Sequence, residues 1–175
     1  MKEEVILVNE QDQQVGVMEK MEAHQKGLLH RAFSIFIFNE KGEMLLQQRA
    51  ATKYHSGGKW SNACCSHPRP GEELLDAAGR RLKEELGFET GLKKIFEFAY
   101  KVEFENGLAE NEVDHVFVGE YYGQINLNPE EAQDYCFKSL PEIKHSLQIK
   151  PGIYTEWFLL AFPKIENWWK KNNWQ

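Results

Sequence analysis

Glu72 to Leu86 limits the possible architecture of this chain more than any other run. Pro70 and Gly71 stand just before it and Gly87 just after it, the punctuation of a helix start and of a C-terminal cap. At about 100° per residue, Leu74, Leu75, Ala78, Leu82 and Leu86 share one face, which must pack against a sheet. Arg81 and Glu85 lie one turn apart along the edge of that face. Charges at a core boundary need partners, since stranding one costs roughly several kcal/mol. Either the two satisfy each other at i, i+4, or they border a cleft in which Glu85 meets a metal and Arg81 an anion.

The stretch that feeds this helix is Trp60-Ser61-Asn62-Ala63-Cys64-Cys65-Ser66-His67-Pro68. It sets a thiol two residues before an imidazole, beside an amide and an aromatic ring. A buried Cys, a surface His and a Pro-Gly turn would produce the same letters, so the stretch alone does not decide. Upstream, Gly57-Gly58-Lys59 does not complete the G-x-x-x-x-G-K-[ST] loop that cradles nucleotide phosphates.

Elsewhere strands dominate. Val5–Val8 and Val15–Met18 read as a hairpin, followed by an irregular segment, 19–30, that carries His24 and His30. Arg31–Phe38 and Glu43–Arg49 read as the arms of a strong hairpin, and residues 50–60 as a loop. Residues 92–104 and 110–122 pair around Asn106-Gly107, and a short strand surrounds Tyr135 to Phe137. Tyr154 to Trp169 reads as an amphipathic helix that Pro163 should kink or split. The run Trp168 to Trp174 either packs on the core or faces a partner. The expected class is α+β, a mixed α/β sandwich with helices outside the sheets, in one domain over residues 1–175.

A net charge of -6 argues against a nucleic-acid surface but leaves room for a small anion among local cations. Cys64, Cys65 and Cys136 make an odd set without framework spacing, so reduced thiols in a cytoplasmic protein are expected. The N-terminus lacks the apolar run of a signal peptide, and no segment approaches the roughly 18 apolar residues of a membrane span.

From Leu108 to Val118, alternation puts Glu110, Glu112 and Asp114 on one strand face, about 7 Å apart. Like charges at that spacing raise one another's pKa, and a cation relieves them. A solvated acidic face is the plain alternative, although Val116 and Val118 continue the face as apolar surface. Histidine with carboxylate suits Mn2+ or Zn2+, and oxygen ligation at Glu85 suits Mg2+. His24 and His30 would lie about 20 Å apart in an extended strand, so joint ligation requires the chain to fold back. His55, His115 and His145 read singly as surface or hydrogen-bonded residues.

With these residues assembled, the chain resembles the type I isopentenyl-diphosphate isomerases, a branch of the Nudix superfamily, from about Val5 to Trp157. The blocks that carry the resemblance are Glu19-Lys20 with His24 and Leu29–Phe33, then Trp60–Pro68, Arg80–Gly87 and Glu110–Asp114. The Nudix box can be laid from Ser66 to Phe88, matching at Glu72, Arg80, Leu82, Glu84, Glu85, Gly87 and Phe88. Ser66 replaces its first Gly, and Arg81 replaces a metal-site Glu, which weakens the reading as a hydrolase.

The resemblance implies a Nudix fold and interconversion of isopentenyl and dimethylallyl diphosphate, a step of isoprenoid biosynthesis. It also implies roles. His24, His30, His67, Glu110 and Glu112 would hold an inner Mn2+ or Zn2+, and Glu85 would hold Mg2+ against the diphosphate. Lys20, Arg49, Lys53 and Arg81 would neutralise that diphosphate. Cys65 and Glu112 would be the catalytic pair, Tyr100 would hydrogen-bond the carboxylate, and Trp157 would face the hydrocarbon. Cys64 is one place off the pattern and reads as structural. Glu112 would then serve as acid and Cys65, as a thiolate favoured by the helix N-terminus and nearby cations, as base, with roles exchanging by direction. The Trp157 ring would stabilise the intermediate cation by roughly 1–2 kcal/mol. The expected partner is a small allylic or homoallylic diphosphate, without nucleic acid or membrane, bound by a monomer or weak homo-oligomer. The rival readings are a Nudix hydrolase of a nucleoside diphosphate derivative and a metal-stabilised binding domain.

Overall fold

His30–Phe38 (β3) is apolar without a break from Ile35 onward, and only Arg31 escapes burial. Such a run belongs in the middle of a sheet with both faces covered. The computed structural model, which describes residues 3–172, puts it there. Ala109–Glu120 (β8) runs parallel to β3 along its whole length, from His30 opposite Glu112 to Phe38 opposite Glu120. Leu92–Glu103 (β7) pairs antiparallel with the far side of β8 through the turn at Asn106-Gly107. On the other side of β3 lie Cys64–Ser66 (β6), antiparallel, and the first hairpin, Glu4–Val8 (β1) with Gln14–Glu19 (β2).

The expected hairpin of 31–38 with 43–49 does not form. Met44–Arg49 (β4) meets β3 only where Met44 faces Phe38, and it pairs instead with Trp60–Asn62 (β5) and Ala132–Lys138 (β9). The edges of β3 are already taken by β6 and β8, so β4 must find other partners. The Trp60–Pro68 stretch thus holds two short strands, β5 and β6.

Alternation along β3 separates two cores. Phe33, Ile35 and Ile37 pack under Leu74–Leu86 (α2), with Ala77, Ala78, Leu82 and Leu86. Phe36 and Phe38 pack with Ile143, Phe158, Phe162 and Ile165, which belong to Leu140–Ile149 and Glu156–Asn172. Numbered in chain order after Lys20–Lys26 (α1), those last two helices are α3 and α4. Mixed strands between helices make the α+β sandwich that was expected.

Four details differ from the sequence reading. The irregular segment 19–30 contains α1, capped by the Glu19 carboxylate, which accepts from the amides of Met21 and Glu22, and closed by Gly27 at φ 61°. Leu75 is 51% exposed, because it stands in the first turn, before the helix reaches the core with Ala77 and Ala78. Helix α3 went unread, although Ser139 and Glu142 form a capping box with Pro141 in its first turn. Pro163 splits nothing: α4 continues through it to Asn172, and Trp169 packs on Phe38 with ring centroids 4.2 Å apart. Trp174 lies outside the described residues.

Candidate metal centre and active site

Strand register builds this site. The parallel β3–β8 pairing puts His30 beside Glu112, the β7–β8 pairing puts Tyr100 opposite Glu112, and the β3–β6 pairing puts Ser34 opposite Cys65. Helix α1 and the turn at Gly27 provide the fold-back that His24 needs. Ligand atoms of His24, His30, His67, Glu110 and Glu112 all lie within 4.8 Å of one another, and every one of these side chains is buried.

Two backbone carbonyls set the tautomers. His24 Nδ1 donates to Lys20 O at 2.7 Å and His30 Nδ1 to Leu28 O at 2.8 Å, leaving each Nε2 with its lone pair facing the cluster. His30 Nε2 stands 3.2 Å from His67 Nε2, and Glu112 Oε1 lies 2.8 Å from His67 Nε2 and 3.3 Å from His30 Nε2. His24 Nε2 is buried without a hydrogen-bond partner.

Burial pushes His30 down to about 4 and His67 well below the usual imidazole value, so both are neutral donors of electron pairs. Burial and the neighbouring Glu110 charge push Glu112 well up, while Glu110, despite its burial, is held well down by the proton that Glu112 carries and by the His24 and His55 imidazoles beside it. The two carboxylates thus share a proton, held on Glu112. Facing imidazole lone pairs, an orphaned Nε2 and paired carboxylates form a donor set that fits a divalent transition or borderline ion.

Cys65 Sγ lies on the same cleft, with Glu112, Tyr100 and Trp157. Tyr100 Oη donates to Glu112 Oε2 at 2.6 Å. The thiol donates to Asn62 Oδ1 at 3.1 Å and sits 3.3 Å from Ser34 Oγ, whose own hydrogen goes to Asp114 Oδ2 at 2.7 Å. Burial and the Asp114 charge push the Cys65 thiol far up, against the expected thiolate. The helix N-terminus invoked for that thiolate begins only at Leu74. Cys64 is fully buried in the α2 core, as a structural residue should be. Trp157 is 4% exposed, donates Nε1–H to Ser61 Oγ at 3.0 Å, and carries the Arg49 guanidinium 5.1 Å over its ring.

The cations expected at a diphosphate fall into two groups. Lys20 and Arg49 line the cleft itself, with Lys20 paired to Glu3 at 2.9 Å. Lys53 and Arg81 are joined by Glu131, at 2.5 and 3.1 Å. Arg81 also pairs with Glu85 at 2.6 Å, the i, i+4 arrangement, and Gln47 donates to the other Glu85 oxygen at 2.9 Å. Glu72 and Arg80 of the box form a fork, Nε and Nη2 donating at 2.7 and 2.8 Å, that clamps the loop before α2 onto the helix.

The sequence reading missed His55, which is buried with Nε2 2.8 Å from Glu110 Oε1. It also missed Asn62, Ser34 and Glu131. His115 is buried too, held by Asp12 at 2.9 Å and away from the cleft, whereas His145 is exposed as expected.

Residues 28–158 match the NUDIX domain family. An isopentenyl-diphosphate Delta-isomerase of Pectobacterium atrosepticum is 49% identical, over 95% of this chain and 93% of its own length. The chain belongs to the isopentenyl-diphosphate Delta-isomerase family of Nudix proteins. A second family member, isopentenyl-diphosphate Delta-isomerase 2 of Aromatoleum aromaticum, is 50% identical over 94% of this chain and 87% of its own. The fold alone extends further: DR0079 of Deinococcus radiodurans superposes with a TM-score of 0.76 at 17% identity, covering 93% of this chain and 98% of its own.

Proposed function

We propose that this chain is the isomerase its family name describes, moving the double bond of isopentenyl diphosphate to give dimethylallyl diphosphate. The observation that carries the reading is that Cys65 and Glu112 line one cleft with Trp157 and the histidine–carboxylate cluster. Net isomerisation adds a proton at the terminal alkene carbon and removes one from the carbon two places along. Two proton-carrying groups at one substrate are what that exchange requires.

His24, His30, His67, Glu110 and Glu112 would hold a divalent ion, Mn2+ or Zn2+ by its donor set, and that ion would keep Glu112 ionised in spite of its burial. Glu85 would hold Mg2+ beside the diphosphate once Arg81 turns to phosphate oxygen. The raised pKa of Cys65 favours it as the group that carries the proton at rest, with Glu112 receiving one from the substrate and Tyr100 steadying that carboxylate. The reverse reaction exchanges the two roles. Trp157 closes the site to water and meets the tertiary cation with its ring, a face that attracts positive charge and already carries the Arg49 guanidinium. Lys20, Arg49, Lys53 and Arg81 take the diphosphate. For the last two this means exchanging Glu131 for phosphate.

Incubation with isopentenyl diphosphate, Mg2+ and Mn2+ in deuterated water should yield dimethylallyl diphosphate carrying solvent deuterium. Release of phosphate with no isomer formed would replace this reading with hydrolysis.

A further inference from the structure

His55 sits in the loop between β4 and β5 and is 6% exposed. Its ring is clamped on three sides. It stacks on Phe104 at 4.5 Å and 10°, and meets Tyr54 and Trp157 edge to face at 4.5 and 5.6 Å. Neither ring nitrogen has an aligned hydrogen-bond partner, yet Nε2 lies 2.8 Å from Glu110 Oε1. That same oxygen lies 3.7 Å from His24 Nε2. Burying an imidazole without a partner is costly, and the clamped ring has little freedom to seek one elsewhere.

We propose that His55 is a positioning residue of the metal centre, its Nε2–H holding Glu110 in the orientation in which that carboxylate ligates the ion. The inference rests on the metal reading above. A ligating carboxylate that is itself hydrogen-bonded needs no reorientation when the ion arrives, which is why such outer partners matter to affinity. His55 also joins the centre to the substrate side of the cleft: its backbone carbonyl accepts from Arg49 Nη2 at 3.3 Å, and its ring edge rests on Trp157. One residue thus ties a metal-ligand carboxylate, a diphosphate-facing cation and the hydrocarbon wall to a single short loop. Gly57 allows that loop to fold so tightly, since a Cβ there would stand 2.5 Å from Ala51 O.

The test compares the unaltered chain with His55→Phe and His55→Gln, each stripped by a chelator, then titrated with Mn2+ in competition with a coloured chelator. Phe keeps the stacking but has no donor, and should weaken Mn2+ by about 10- to 100-fold. Gln places an amide N–H near the position of Nε2 and should recover most of that loss. The three stripped proteins should melt together by circular dichroism. A Phe variant that binds Mn2+ as tightly as the unaltered chain overturns the proposal. A loss that Gln fails to recover assigns the effect to ring packing and overturns it equally. An unaltered chain that takes up no Mn2+ defeats the metal reading itself, whereas one that binds Mn2+ without isomerising defeats only the activity.

Discussion

Adjacent thiols with opposite surroundings give the sharpest test at the scale of single residues. Cys65→Ser removes the proposed proton carrier at the cleft and should lower kcat by about 10²- to 10⁴-fold with little change in thermal midpoint. Cys64→Ser puts a more polar hydroxyl at a fully buried position where the α2 core meets Glu85, and should cost about 1–3 kcal/mol of stability while leaving kcat near its starting value. Midpoints and steady-state rates on the two variants check both, and an inactive Cys64→Ser beside an active Cys65→Ser would reverse the assignment. Glu112→Gln should match the Cys65→Ser loss in kcat and also weaken Mn2+, since the proposed function gives one residue both tasks. The site was legible where spacing encodes it: His67 two places after Cys65, and Glu110 and Glu112 two apart on a strand. Residues whose role arises only from tertiary contact were not. His55 reaches Glu110 across about a third of the chain, and Ser34 reaches Cys65 through a strand pairing that sequence alone left unread.

At the scale of elements, local punctuation was legible and competition between elements was not. Gly87 ends α2 as a left-handed cap, as its position said it would. The partners of β3, by contrast, come from distant parts of the chain: β8 lies along one edge and β6 along the other, and the nearby β4 is left a single pairing at Met44. Pro163 belongs to the same class of contest. It removes one helical hydrogen bond, yet Phe162 and Ile165 on either side of it are buried in the second core and hold α4 together. Pro163 itself is exposed. Pro163→Ala should therefore restore the bond without disturbing packing and raise stability by up to about 3 kcal/mol, with kcat unchanged. Urea denaturation of the two proteins measures it, and a destabilised Ala variant would mean that the proline shapes the packing of α4.

Across the whole molecule, the centre that arranges the chemistry also opposes the fold. Burial and Glu110 raise Glu112 above its unfolded value of 4.5, and burial raises Asp114 from 3.8 to about 7. The folded chain therefore binds more protons at these carboxylates than the unfolded one. The stability they contribute is complete below the unfolded values and is lost as pH rises through the folded ones. His30, held at about 4, has the opposite sign, its contribution being complete above 6.5 and lost as pH falls below that. A divalent ion held as proposed would replace the proton on Glu112 and find His30 already neutral over this range, so its stabilisation should grow with pH. At an ion concentration of about 100 times Kd the gain is about 2.7 kcal/mol, or roughly 5–10 °C in the midpoint of a chain this size. The shift produced by a fixed Mn2+ concentration should thus be larger at pH 8 than at pH 5.5. In Glu112→Gln it should be smaller and less dependent on pH, because the proton that the ion displaces is gone. A shift of equal size at both pH values in the unaltered chain would mean that the buried carboxylates titrate independently of the metal, and that the centre is held by its imidazoles alone.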